Sequence, residues 1–365
     1  MKIRLSIISL IVVSMVSNAA AQNADIFKRK NIETRMLSVA KWQLANPNHP
    51  LYDWTNGAFY AGVFAAYETT KSPDLMTAMM DMGDKNGWKP GPRFDHADDI
   101  AISQTYIDIY RIKKDKKMIQ ATIDAVNRLK TEKGDQVTKN GITWWWCDAL
   151  FMAPPTLAKL AKTTGDRSYL DLNDRFFRET YDRLFNKEEN LYARDASYLV
   201  NEKGEGKREA NGKKVFWSRG NGWVVGGLVR LLKELPKDHP KREFYITQYK
   251  AMMTRIASLQ QPDGLWRSSL LDPGSYPGGE ASGSGFDIYA MAWGINNKVL
   301  DRDKFLPVVK KAWTGLNTLV HPDGKVGWTQ PIGADPKRNF TAESWEVYGA
   351  GAFLLAGSEV ARLKL

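Results

Sequence analysis

Cysteine is almost missing from this chain of 365 residues: Cys147 stands alone, and no disulfide can form within the chain. A large packed core must therefore hold the fold, without covalent staples. Histidine is nearly as scarce, with four residues, and neither a second His nor a thiolate sits at metal-ligand spacing from His96, which argues against a zinc site. The chain shows neither a Gly-x-Ser-x-Gly elbow nor a phosphate loop, so elbow-type esterases and nucleotide-dependent enzymes are set aside. No cofactor is expected. Beyond the first residues, the roughly 20 uninterrupted apolar residues of a membrane span are absent too. Alternating, strand-like apolar patterns hardly occur.

The first 21 residues have the pattern of a secretory leader: Lys2 and Arg4, an apolar run from Leu5 to Val16, then Ala19-Ala20-Ala21 before Gln22. No Cys follows that run to take a lipid anchor. The expectation is a protein exported to a bacterial periplasm, with residues 22–365 forming one catalytic domain. The formal net charge is +11, and it stays strongly positive without Lys2 and Arg4. Such a balance suits an acidic partner. Basic residues are interleaved with acids and no nucleic-acid motif accompanies them, so an acidic oligosaccharide is the expected partner, with neither nucleic acid nor membrane. Oligomeric state is not legible.

What the chain has in abundance is helical periodicity. Apolar residues recur at helical spacing in Met118, Ile119, Ile123, Val126, Leu129, and again in Phe305, Val308, Val309, Ala312, Leu316, Leu319. Cap and breaker signals place helices near 26–45, 57–69, 73–84, 98–112, 116–131, 148–163, 167–185, 221–234, 241–259, 284–298, 303–319 and 342–361. Gln261-Pro262-Asp263-Gly264 returns as His321-Pro322-Asp323-Gly324 after another long helix, a weak repeat. Paired helices in roughly six hairpins predict an all-α fold, a closed (α/α)6 barrel. A solenoid of 34-residue repeats has no matching period.

In such a ring the loops entering the inner helices form a mouth, and the unusual residues fall in those loops. Trp217-Ser218-Arg219-Gly220-Asn221-Gly222-Trp223 packs two indoles and a guanidinium into a helix start. An indole face covers the apolar face of a pyranose, and a guanidinium offers a planar fork to a carboxylate. The competing view of this block is a Trp-rich helix start buried in the core. Trp54 and Asn56 are candidates for the opposite wall, with the same alternative. Asp98-Asp99 serves equally as a helix N-cap pair.

Trp146-Cys147-Asp148-Ala149-Leu150-Phe151-Met152, followed by the Trp217 block, resembles glycoside hydrolase family 105, the unsaturated rhamnogalacturonyl hydrolases, and more distantly the unsaturated glucuronyl hydrolases of family 88. The resemblance implies an (α/α)6 barrel and a substrate ending in a 4,5-unsaturated uronic acid. It also implies Asp148 as general acid and later base, Asp98 (or its neighbour Asp99) as the second carboxylate, and Arg219 as the holder of the uronate carboxylate. Trp217, Trp223 and Trp146 would shape the sugar subsite. An unperturbed Asp has a pKa of about 3.9, so the acid needs desolvation, which Trp144 to Cys147 could supply, and a nearby second carboxylate. Some relatives carry a histidine near Tyr192-Ala193-Arg194-Asp195, where this chain has Asp195. Three other readings are an inverting glycosidase with carboxylates about 6.5–9.5 Å apart, a sugar epimerase on the same toroid, and a non-catalytic periplasmic glycan-binding protein.

Overall fold

The computed structural model describes residues 25–132 and 141–365. The secretory leader expected at residues 1–21 lies outside them. Twelve helices of eleven residues or more account for most of the described chain, with one short helix, three 3₁₀ turns and a two-residue strand pair besides. Six of the long helices are buried almost all round: α2 (Trp54–Thr70), α4 (Ser103–Lys113), α7 (Pro154–Thr164), α9 (Ser218–Glu234), α11 (Ala281–Asn296) and α13 (Val347–Val360). Every residue of α13 is buried. A helix without a polar face belongs inside a protein, and these six form the inner ring.

The other six are α1 (Arg29–Ala45), α3 (Pro73–Lys85), α5 (Lys117–Thr131), α8 (Ser168–Leu184), α10 (Arg242–Ser258) and α12 (Arg302–Thr318). They alternate with the inner helices along the chain and form the outer layer. In α5 only one stripe is buried, Met118, Ile119, Thr122, Val126 and Leu129, as expected of a helix with one face in water. Around the inner ring each helix packs on the next, α2 on α4, α4 on α7, α7 on α9, α9 on α11 and α11 on α13. The last helix returns to α2, so the ring closes. This is the six-hairpin toroid the helical periodicity predicts.

Small residues set how closely that seam closes. A Cβ built on Gly62 of α2 would lie 2.5 Å from the backbone oxygen of Gly351 on α13. At such a distance even a methyl group forces the helices apart.

Most helices start within three residues of the expected positions, and three boundaries differ by more. The helix expected at 148–163 is broken into α6 (Ala149–Met152) and α7, because Pro154 and Pro155 occupy the first turn of α7 and cannot continue an earlier helix. Gln104 Nε2 donates to the carbonyls of Phe151 and Met152, at 2.9 and 3.2 Å, which satisfies the end this break exposes. The stretch expected as 98–112 begins with a 3₁₀ turn, Ala97–Ile100, before α4 starts at Ser103. The last helix starts at Val347 instead of 342, since residues 341–344 are held in a turn by Ser344 N donating to Thr341 O at 3.0 Å. The strand pair, β1 (Phe185–Asn186) with β2 (Leu191–Tyr192), is antiparallel and connects α8 to the mouth.

Candidate active site

All six inner helices begin at the same end of the ring. Trp54 at the start of α2 touches Trp223 of α9 and Tyr348 of α13, and Gly222 of α9 approaches Gly283 of α11. Asp148 and the 3₁₀ turn bearing Asp98 open toward this mouth. The chain before Asp148 is fixed from outside: Cys147 N donates to Arg194 O at 2.8 Å, and Trp146 forms a bridge with Asp195. Thr180 Oγ1 donates to Trp144 O at 2.6 Å. Asp148 is thereby delivered to the mouth by a rigid aromatic strip.

The electrostatics separate the two carboxyls. Asp148 is 8% exposed. Burial pushes its pKa up, while Arg194, with Nε 3.6 Å from Asp148 Oδ2, and then Arg219 pull it down. Asp98 is pushed up to about 8, first by burial and then by the charges of Asp148 and Asp99, with Arg93 opposing only in part. Although 18% of the Asp98 side chain remains open, its Oδ1 is enclosed and has no hydrogen-bond partner among the described residues. The carboxyl end is thus the desolvated part. Such a pair titrates as a unit and keeps a proton near neutrality.

Asp99 has a different place. Its Oδ1 accepts from Arg93 Nε at 3.0 Å and its Oδ2 from Arg93 N at 2.8 Å, so it is a counterion that braces the loop. The charge of Asp148 bears on Asp98, whereas Asp99 is engaged by Arg93. The reading of Asp98-Asp99 as an N-cap pair does not hold, since His96 takes the cap position: its Nδ1 accepts from Asp98 N at 3.2 Å. Burial, and then the charge of Arg93, hold the His96 pKa down to about 4. The neutral ring lies 4.8 Å from that of Trp146.

The aromatic candidates divide into wall and support. Trp54 is partly open at the mouth and stacks on Tyr348 with centroids 5.4 Å apart and planes at 16°. Trp223, expected at the sugar subsite, is fully enclosed by Trp54, Phe151, Phe286 and Tyr348. It supports Trp54 from beneath and has no free face. Trp217 is likewise buried, its Nε1 donating to Gln330 Oε1 at 3.2 Å. Trp146 is 3% exposed, between His96 and Trp145. Asn56 does not face a sugar with its amide: Nδ2 donates to Asn48 O and Pro50 O, both at 3.0 Å, and so pins the loop before α2. For Trp217, Trp223 and Asn56 the competing core reading is the one the packing supports.

Arg219 is also inside, fully buried, and its fork does not reach the mouth. Nη1 donates to Gln330 O and, at 3.1 Å, to the Tyr348 hydroxyl; Nη2 donates to Pro331 O at 3.0 Å. The guanidinium lies 4.5 Å from the Trp217 ring and 4.7 Å from that of Tyr348. Its Nε is enclosed without a partner among the described residues, and its charge acts on Asp148. Arg219 is thus part of the floor beneath the acid. Arg194, Tyr348 and Gln330 escape sequence reasoning. Arg194 is the guanidinium beside Asp148 that remains partly open, 19% by side chain, with Nη1 2.8 Å from Asp195 Oδ2. The only signal for it is its place in the stretch that replaces the relatives' histidine.

Two expected outcomes follow from this geometry. Folding favours the protonated form of Asp98, whose pKa is about 8 in the fold against 3.8 for an ordinary Asp. The stabilisation from that group is therefore complete below 3.8 and is lost as pH rises toward 8. Asp98→Asn removes the titration, so its melting temperature should rise relative to the parent as pH goes from 4 to 8. At about 1.4 kcal/mol per pKa unit, discounted for the open part of the side chain, the gain is on the order of a few kcal/mol. A constant difference across that range would show that Asp98 is not held protonated. Secondly, no group of three or more metal-ligating side chains occurs among the described residues. Exhaustive chelation is expected to leave turnover unchanged, measured before and after dialysis against a chelator.

A closed ring of helical hairpins, with a proton-holding carboxyl pair and aromatic walls at one end, defines a carbohydrate-active enzyme of the α/α-toroid class. The chain belongs to Glycosyl Hydrolase Family 88, whose model matches residues 28–364, and it is a glycoside hydrolase. It is 45% identical over 344 residues to an unsaturated 3S-rhamnoglycuronyl hydrolase of Formosa agariphila, with 91% of each chain covered. It is also similar to a solved family 88 glycosyl hydrolase from Bacteroides vulgatus, with TM-score 0.83 and 32% identity over 92% of this chain and 99% of that one. A further solved structure, named as a polysaccharide lyase, matches with TM-score 0.84 and 32% identity over 92% and 97%.

Proposed function

We propose that this enzyme removes a 4,5-unsaturated uronic acid from the non-reducing end of lyase-generated oligosaccharides, by protonating and hydrating the enol ether. The observation that carries the reading is the carboxyl pair: Asp148, desolvated yet 3.6 Å from Arg194 Nε, and Asp98, on which its charge bears and whose proton is kept to about pH 8. Asp148 gives its proton to C4, and the carboxylate left behind is stabilised by Arg194 and Arg219. Water adds at C5 and returns a proton to Asp148. The hemiketal then opens and releases the next sugar, so one water is consumed and the acid is regenerated. Asp98 holds its proton while Asp148 is ionised. A second carboxylate charge would repel both the ionised Asp148 and the anionic substrate.

Arg219 could read the uronate carboxylate only if its fork left the Gln330 and Pro331 carbonyls; what supports the role is that its charge bears on Asp148. The partly open faces of Trp54 and Trp145 supply the wall for the ring. The name of the Formosa relative, together with 45% identity, supports a sulfated rhamnose as the sugar after the uronate. The leader pattern at residues 1–21 supports export to a periplasm.

The lyase-named neighbour favours a specific rival, since a lyase makes the same double bond that a hydratase consumes. The sign of one signal decides. With lyase-cut oligosaccharides the ultraviolet absorbance of the conjugated bond should fall; with intact polysaccharide it should not rise. Persistence of the absorbance with release of reducing ends would instead indicate an inverting glycosidase, and binding without change a glycan-binding protein.

A further inference from the structure

The end of the ring opposite the mouth holds a second cavity, of about 460 Å³, lined by the C-terminal parts of the inner helices. Five of its lining side chains are cations, Lys71, Arg111, Lys159, Arg230 and Lys233, against three carboxylates. Helix C-termini attract cations through their free carbonyls, and most of these side chains are accounted for in that way or by an acid. Arg111 Nη2 donates to Lys159 O and its Nη1 to Glu234 Oε1, both at 3.0 Å. Lys159 Nζ donates to Asp108, and Lys233 Nζ to Glu359 Oε1 at 2.9 Å. Asp108 and Glu234 are therefore engaged, Glu234 also by Lys162 Nζ 3.2 Å from its Oε2, although Asp108 Oδ2 is enclosed without a hydrogen-bond partner among the described residues; Glu68, the third lining acid, is exposed at the rim with Lys71.

Arg230 fits none of these patterns. It is 7% exposed, and no carboxylate among the described residues lies within ion-pair distance of it. Its Nε donates to the neutral Gln104 Oε1 at 2.6 Å, it hydrogen-bonds the Tyr289 hydroxyl, its guanidinium lies 5.9 Å from the Phe151 ring, and its Nη2 is enclosed with no partner among the described residues. A guanidinium cannot shed its proton to escape burial, and an uncompensated buried charge is strongly unfavourable. The neighbouring cations Lys159 and Lys233 add to the positive potential, since the charge of Arg230 bears on both. What Arg230 lacks is an anionic partner of its own, with acceptor oxygens for a planar fork.

We propose that this cavity is a binding site for a tetrahedral oxyanion, inorganic sulfate or phosphate, held by Arg230 with Lys71 at the rim. An oxyanion accepts two parallel N–H bonds from one guanidinium, and the volume leaves room for the waters around it. The site is separate from the carboxyl pair, at the far end of the same inner helices, so it stands independently of the reaction at the mouth.

Thermal melting at matched ionic strength tests it, with sulfate and phosphate as separate arms against chloride. Both anions also stabilise proteins generally by exclusion from the surface, a rise that keeps growing with concentration and is shared by variants. A specific site adds a saturating rise of about 2 °C at millimolar anion, present in the parent and lost in Arg230→Gln. Whichever anion gives the saturating arm is the ligand. Equal responses in parent and variant would overturn the site. Should Arg230→Gln not fold, crystals of the parent protein soaked in selenate locate the anion directly. An anomalous peak beside Arg230 is expected, and a cavity without one at saturating selenate would overturn the proposal. Neither measurement depends on turnover.

Discussion

Asp148→Asn is expected to fold normally and bind substrate while losing about 10²–10⁴-fold in kcat, the contribution typical of general acid–base groups. The loss should sit at the upper end, because one residue makes both proton transfers. Asn keeps the shape and the polar end of Asp, and the position is held by its aromatic strip and by the Arg194 carbonyl, so the backbone has no reason to move. Two measurements give the test: melting temperature within a degree or two of the parent, and initial rates from the fall in ultraviolet absorbance. Retention of more than about a tenth of the parent kcat would remove Asp148 from this role, since that is far less than a proton-transfer group contributes.

Arg219→Ala is expected to lower both stability and catalysis. Deleting the guanidinium leaves the Gln330 and Pro331 carbonyls and the Tyr348 hydroxyl without their donor, and removing one partner of a buried charged hydrogen bond costs about 2–5 kcal/mol. The melting temperature should fall accordingly. Catalysis should fall by a similar free energy in kcat/KM if the same side chain reads the uronate. The two effects separate with a substrate whose carboxylate is a methyl ester. The parent should strongly prefer the acid, and the variant should lose most of that preference. Should Ala not fold, Arg219→Lys keeps the charge without the planar fork and serves the same comparison. The Lys variant should also be impaired, and a preference surviving in Arg219→Ala would assign the carboxylate to another cation, with Arg194 next in line.

The ring of hairpins is legible in the sequence because each outer helix carries its own stripe, as α5 does, and because long apolar stretches such as Val347–Val360 have nowhere to go but inside. The breaks are less so. Pro154-Pro155 is visible on the page, but its meaning as a new helix start depends on Gln104, 50 residues away, satisfying the exposed carbonyls. At the site, Asp148 and Asp98 stand out by motif, whereas the choice between Asp98 and Asp99 turns on which one Arg93 engages. Aromatic content marks the mouth without saying which ring is wall and which is support. Trp54 and Trp223 are alike in type, and only packing shows that one covers the other. Arg219 is chemically suited to a carboxylate, yet nothing local reveals that two carbonyls of residues 330–331 already occupy its fork.

The closure of the inner ring between α2 and α13 has a consequence for how the molecule comes into being. Its seam joins residues near Gly62 to residues near Gly351, far apart along the chain, so a contact of large sequence separation is the one that completes the barrel. Pairings of this kind pay loop-closure entropy before any packing rewards them and are slow to form. Tyr348, on which both Trp54 and Arg219 rest, belongs to α13, which is synthesised after the other helices of the ring. Until that helix docks, five hairpins present an open, apolar edge, and the catalytic floor does not exist. Folding of the last hairpin and assembly of the mouth are one event, which makes the window before it the period of greatest exposure to aggregation.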